Sequence, residues 1–244
     1  MNLALFRHQL RKLLRRGRLI GLGLLAAVPA LVIFVVGSAT GSVSNQELVG
    51  IVATVGATTF PIAALILAGA TLRDERDDGT LAYLYLAPIP RPIMALTSIG
   101  AAVAATALVG LGAAALVLVA GLAVGADLAV GLATFPLYLV TAVGYSALFV
   151  PVGYLIPRVI LTGLGYVIVW EQIVARLVTG VANTSVWRFG LSIYSDIIEG
   201  GGNELTLALG PVTPGTWGGI TKVAAVLTIG WSALTYSLHR RDAL

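Results

Sequence analysis

Residues 93–119 read IMALTSIGAAVAATALVGLGAAALVLV, a run with no charged side chain anywhere in it. A hydrocarbon core of ~30 Å is crossed by a helix of ~20 apolar residues, and this run exceeds that length. The rest of the chain is of the same kind. Of the 244 residues, 58% are hydrophobic and only 11% charged, with a mean hydropathy of +0.95. Soluble domains carry about 25% charged residues, so the chain lacks the charge to cover a water-facing surface of normal size. Its 29 glycines and long alanine runs suit helices that approach closely in lipid. The expected fold is all-α: a single polytopic membrane domain over residues 1–244.

Hydropathy gives six crossings, at about Leu19–Val36, Gly50–Leu72, Ile93–Val119, Leu132–Ile156, Val159–Val178 and Gly219–Leu238. The first exceeds the 7–15 residues of a signal h-region, so it reads as an uncleaved helix. Pro61, Pro136 and Pro151 are expected to kink their helices. Residues 1–18 set Leu3, Phe6, Leu10, Leu13 and Leu14 against Arg7, Arg11, Lys12, Arg15 and Arg16, the pattern of a helix lying in the headgroup layer against anionic lipid. With both termini in the cytoplasm, twelve of the 15 Lys and Arg fall inside, and only Arg176, Arg188 and Lys222 fall outside. The positive-inside rule therefore fixes that orientation in the cytoplasmic membrane.

Several function classes drop out. No cysteine is present, and the two histidines, His8 and His239, stand far apart, so no metal centre is expected. The basic residues lie at membrane edges, which argues against a nucleic-acid partner. Gly121-x-x-x-Gly125 and Gly163-x-Gly165 read as helix-packing positions rather than nucleotide loops. In the external loop 179–218, Val186, Phe189, Ile193 and Ile197 keep helical spacing near Trp187 and Tyr194. That suggests a short helix lying at the outer interface, ended by Gly200-Gly201-Gly202 and followed by Pro211 and Pro214. Glu199, Asp196 and Glu204 make this loop acidic. Glu171, beside Trp170, falls roughly 18 Å into the fifth crossing. It is either a substrate-pathway residue facing a cavity or an interfacial carboxylate near Arg176.

The loop 73–92 reads RDERDDGTLAYLYLAPIPRP. Six charges open it, and an apolar segment follows that three prolines stop. Asp77 or Asp78 can cap a short helix there, with Leu81, Leu84 and Tyr85 on one exposed face and Pro88 at its end. An exposed apolar patch of that kind marks a partner site, the alternative being a plain solvated connection.

Glu75-Arg-Asp-Asp-Gly79-Thr80-Leu81, then Leu84, Leu86, Pro88 and Arg91, resembles the signature of type-2 ABC transporter permeases, the membrane subunits of bacterial drug, lipid, polysaccharide and peptide exporters. The family pattern is roughly E-R-E-x-G-T-L-E, two or three apolar residues, then P-x-S-R. At motif level the resemblance covers residues 73–98, and in architecture the whole chain. It implies a coupling helix docking on a cytoplasmic ATPase, with Arg73, Glu75, Arg76, Asp78, Gly79, Thr80, Leu81, Leu84, Tyr85 and Arg91 as the coupling residues. It also implies a second permease subunit, identical or closely related. The chain departs from the pattern at Ala82, where an acidic residue is usual, at Pro90, where serine is commoner, and at Thr97-Ser98, where Gly-Lys often stands. These residues hold no G-x-x-x-x-G-K-[ST] loop, so the chain is expected to bind no cofactor and to leave ATP and Mg to the partner. The function so implied is ATP-driven export of a lipid-like or amphipathic substrate. The alternative is a secondary transporter or a non-transporting scaffold, though the sequence shows no 3+3 repeat.

Overall fold

The computed structural model describes residues 2–175, 184–198 and 215–241. The segments are helical, and no strand occurs among the described residues. In chain order they are α1 (Leu3–Leu13), α2 (Arg16–Thr40), α3 (Asn45–Asp77), α4 (Leu81–Leu86), α5 (Arg91–Ala123), α6 (Leu128–Leu132), α7 (Thr134–Leu155) and α8 (Val159–Gly165). A π-helical stretch, Tyr166–Val174, continues α8, and α9 (Val186–Ile197) and α10 (Gly215–Arg241) follow. Among the described residues, four spans are long and apolar enough to cross a membrane: α2, α3, α5 and the α6–α7 pair. Val159–Val174 is apolar but shorter.

Two boundaries differ from the hydropathy reading. Ser44 starts α3 with a reciprocal cap: its hydroxyl accepts from the Glu47 amide (3.2 Å) while the Glu47 carboxylate accepts from the Ser44 amide (2.8 Å). From there α3 runs for 33 residues, about 50 Å at 1.5 Å per residue. It therefore outruns the hydrocarbon and takes Arg73–Asp77 with it, so the expected loop begins as helix. Pro136 stands in the first turn of α7, where an amide has no intrahelical partner to lose. It marks the α6–α7 break, whereas Pro61 and Pro151 lie inside α3 and α7.

The hub is α7, which packs against α3, α5, α9 and α10. Backbone meets backbone in two places. A Cβ at Gly153 would lie 2.2 Å from the Gly69 carbonyl oxygen, and one at Gly230 would lie 2.1 Å from that of Ala147. Of the two glycine repeats, Gly121 and Gly163 do pack closely, against Leu48 and Leu65. Their partners do not: Gly125 is a turn residue at φ +87°, and Gly165 faces open space.

The largest correction concerns α9. Instead of an exposed loop helix, Val186–Tyr194 is buried, inserted against α7 and α10. Trp187 meets Tyr138 edge-on and Phe60 at a tilt, with ring centroids 6.0 and 6.3 Å away, and donates its indole N–H to the Ala53 carbonyl at 3.1 Å. Arg188, expected in an outer loop, is buried and donates to the Ala175 carbonyl at 2.8 Å. The readings made for Arg176, Glu199, Glu204, the triple glycine, Pro211 and Pro214 lie outside the described residues.

Because Gly153 has no room for a side chain, Gly153→Val should force α7 away from α3 and lower the thermal midpoint. Gly112 has nothing within 4 Å of its Cβ position, so Gly112→Ala should leave the midpoint unchanged or raise it. Equal effects of the two substitutions in detergent melting would contradict this packing.

Candidate functional site

The segment 73–92 is built around a buried carboxylate. Glu75, in the last turn of α3, is 1% exposed. It accepts from Lys12 Nζ (3.2 Å), lies 3.2 Å from His8 Nε2, and takes a short hydrogen bond from the Thr80 hydroxyl. The Thr80 amide and hydroxyl also donate to the Glu75 carbonyl, at 2.9 and 3.1 Å. Closing that loop needs a reversal at Gly79, whose φ of +71° suits glycine alone. Glu75, Gly79 and Thr80 thus specify one turn.

Lys12 joins α1 to this turn. It pairs with Asp78 (2.8 Å) as well as Glu75. Burial works against its charge, but hydrogen bonds to Asp78 and Glu75 outweigh that and hold its pKa above the usual lysine value. In return, the Lys12 hydrogen bond holds Asp78 below the usual carboxylate range. Neither Asp77 nor Asp78 caps α4. Thr80 occupies the cap position without a side-chain bond, because Asp77 is taken by Arg73 (3.1 Å) and Asp78 by Lys12. Asp74 pairs with Arg18 at 3.0 Å. Of the six charges that open the segment, only Arg76 has no ion partner among the described residues.

The face of α4 is the reverse of the one expected. Leu81, Leu84 and Tyr85 turn inward and pack on the core, while Tyr83 and Leu86 point out, 73% and 81% exposed. The inward choice follows from α7: the Tyr85 hydroxyl forms a short hydrogen bond with that of Tyr154. Arg91 then caps the ring of Tyr85 at 4.7 Å and donates to its carbonyl at 3.3 Å.

Residues the sequence did not single out hold α1 in place. Leu5, Gln9 and Leu13 are its buried face, of which only Leu13 belongs to the apolar stripe read from the sequence. Gln9 donates to Ser98 Oγ (3.1 Å) and the Asn2 amide to Thr97 Oγ1 (3.1 Å). The Thr97-Ser98 departure from the family pattern is therefore a docking point for α1. One cue pointed to Lys12: it is the single lysine in a segment whose other cations are arginine.

At the other end of the bundle Glu171 is also buried, 6% exposed, among four hydrogen-bond donors. Tyr145 and Tyr166 hydroxyls donate to it at 3.1 Å each and the Val186 amide at 3.2 Å, and Ser185 adds a short hydroxyl bond. The π-helix explains the Tyr166 contact, since i→i+5 winding brings residues five apart into register. Trp170, its neighbour in the sequence reading, is partly exposed and takes no part in these bonds. Glu171 staples the α8 helix to the start of α9. Among the described residues no group of His, Asp and Glu has metal-site geometry.

The family model described as ABC-2 family transporter protein matches residues 6–179, so the chain belongs to the ABC-2 transporter family, the type-2 ABC transporter permeases. No curated protein matches it.

If Glu171 is a staple, Glu171→Gln should destabilise the protein. An amide offers one acceptor atom where two carboxylate oxygens now accept four donors, and each buried donor left unsatisfied costs about 1–3 kcal/mol. The expected result is a clearly lower thermal midpoint, with Ser185→Ala falling less. A variant of wild-type stability whose transport is altered would return Glu171 to the substrate pathway.

Proposed function

We propose, from the chain's membership of the ABC-2 transporter family, that it is the membrane-spanning subunit of an ATP-driven exporter and that residues 73–92 receive force from a separate cytoplasmic ATPase. The observation that carries this reading is the exposed Tyr83–Leu86 face on a segment too short to hold itself. A helix of six residues has no stability of its own in water. Here the Glu75 turn, the Tyr85–Tyr154 bond and Arg91 hold it. A load on Tyr83 and Leu86 therefore passes through Thr80 and Glu75 to α3, through Tyr154 to α7 and through Lys12 to α1. The arrangement favours transmission over absorption.

The remaining features follow as parts of the same proposal. The chain crosses the cytoplasmic membrane six times, with α8 and its π-helical continuation as the fifth crossing and α10, 27 residues long, as the sixth. Both termini are cytoplasmic, as the distribution of arginine and lysine requires, and α1 rests in the headgroup layer. Two such subunits, identical or closely related, assemble with two ATPases, which bind the ATP and Mg. The cargo is lipid-like or amphipathic, in keeping with walls of Leu, Val, Ala and Gly. Within the coupling segment, Arg76, Tyr83 and Leu86 meet the ATPase, with Asp78 at the edge. Glu75, Gly79, Thr80, Leu81, Leu84, Tyr85 and Arg91 act by holding the shape, and Arg73 by tying the last turn of α3 to Asp77 and to Pro157.

Burying a Leu or Tyr side chain contributes about 1.5–3 kcal/mol, so losing either should weaken the interface roughly tenfold or more. Tyr83→Ser with Leu86→Ser is expected to lose the ATPase on co-purification while the permease stays folded. Leu128→Ser, at a half-exposed residue of α6, should retain it. Wild-type stoichiometry and transport in the double variant would sink the coupling role.

A further inference from the structure

Where α7 gives way to α8, the chain breaks at Pro157 and leaves a groove of about 360 Å³. Arg73 and Arg158 stand at it, with Val159, Ile160, Leu161 and Leu164 along it. The apolar side is open: Ile160 and Leu161 are 58% and 67% exposed. Arg73 is partly committed, donating to Asp77 (3.1 Å) and, in a short bond, to the Pro157 carbonyl. Arg158 is exposed and forms no ion pair among the described residues. Nothing in the coupling segment uses it.

A guanidinium beside an apolar strip at the end of membrane helices matches one kind of ligand. Guanidinium groups bind phosphate through paired N–H donors, and basic pockets between membrane helices take anionic headgroups. A soluble phosphate would use Arg158 and leave the strip uncovered. A zwitterionic lipid would bring a second cation to a place that already has excess positive charge. We propose that this groove holds one anionic phospholipid, its phosphate on Arg158 with Arg73 alongside and an acyl chain along Ile160, Leu161 and Leu164. The site requires only that the chain sit in a bilayer, so it stands apart from the ATPase partnership. Through Arg73 and Asp77 it adjoins the last turn of α3, which carries Glu75.

The test uses the purified full chain in nanodiscs of phosphatidylcholine doped with phosphatidylglycerol, with the retained lipid identified by native mass spectrometry. The wild type should retain phosphatidylglycerol preferentially. Arg158→Gln should cut that preference about fivefold, the contribution of one basic side chain at a membrane surface. Arg158→Lys should keep most of it, and Arg240→Gln, another exposed arginine at the same end, should keep all of it. Equal retention of both lipids by the wild type, or an unchanged preference in Arg158→Gln, would overturn the proposal. Displacement of the bound lipid by millimolar inorganic phosphate would overturn it too, by assigning the groove to a soluble phosphate.

Discussion

A carboxylate at the end of a membrane helix is ordinarily left in water, because burying it without partners costs several kcal/mol. Glu75 is almost fully buried, so its surroundings must supply what water would have supplied. They do so from one distant and one local part of the chain: Lys12 and His8 from α1, and the hydroxyl of Thr80 from the turn that follows. Meeting that one requirement places α1 against α3, closes the turn at Gly79 and sets the direction in which α4 leaves. With the direction fixed, Leu81, Leu84 and Tyr85 have only the core to face, and Tyr83 and Leu86 have only the outside.

Lipid tails are as apolar as leucine, so membrane helices are held together by close packing and by polar contacts. Both are present, and they divide the bundle between them. Polar anchors sit near its two ends. Glu75 lies at one, and the Glu171 cluster with the Trp187 and Gln172 contacts to Ala53 and Ala57 lies at the other, about 27 Å away along α3. Between them the helices meet through glycine, as at Gly69–Gly153 and Gly230 on Ala147, with a hydroxyl pair, Ser146 donating to Thr106 at 3.3 Å, joining α7 to α5.

The parts legible in the sequence were those that the bilayer dictates. Charge-free runs located α2, α3, α5 and α7 because lipid admits little else, and the Gly79-Thr80-Leu81 signature pointed to the family that the match over residues 6–179 shows. Contacts remote in sequence were not legible. Lys12 and Glu75 are separated by α2 and nearly all of α3, and nothing local announces their pairing. The face of α4 was misread because periodicity says which residues share a side but not which side α7 will cover. Burial of α9 was missed for a related reason: Arg188 was counted among the outside cations, yet it and Ser192 satisfy backbone carbonyls inside the protein. Glu171 was correctly singled out as unusual. Its role as a staple depends on π-helical winding, and an α-helical count does not bring Tyr166 into its reach.

The account stands or falls on the coupling between Lys12 and Glu75, and a double-mutant cycle measures it directly. Lys12→Met, Glu75→Gln and the double variant would be compared with the wild type for thermal stability and for amide exchange across residues 78–91. Partners in one buried network couple by about 0.5–3 kcal/mol, and removing one member of a buried pair costs about 3–5 kcal/mol. Each single variant should therefore be destabilised and should exchange faster in this segment, with the double variant losing much less than the sum. Additive losses within about 0.3 kcal/mol, or exchange across residues 78–91 indifferent to all three variants, would contradict the claim that this pairing sets the shape of that segment.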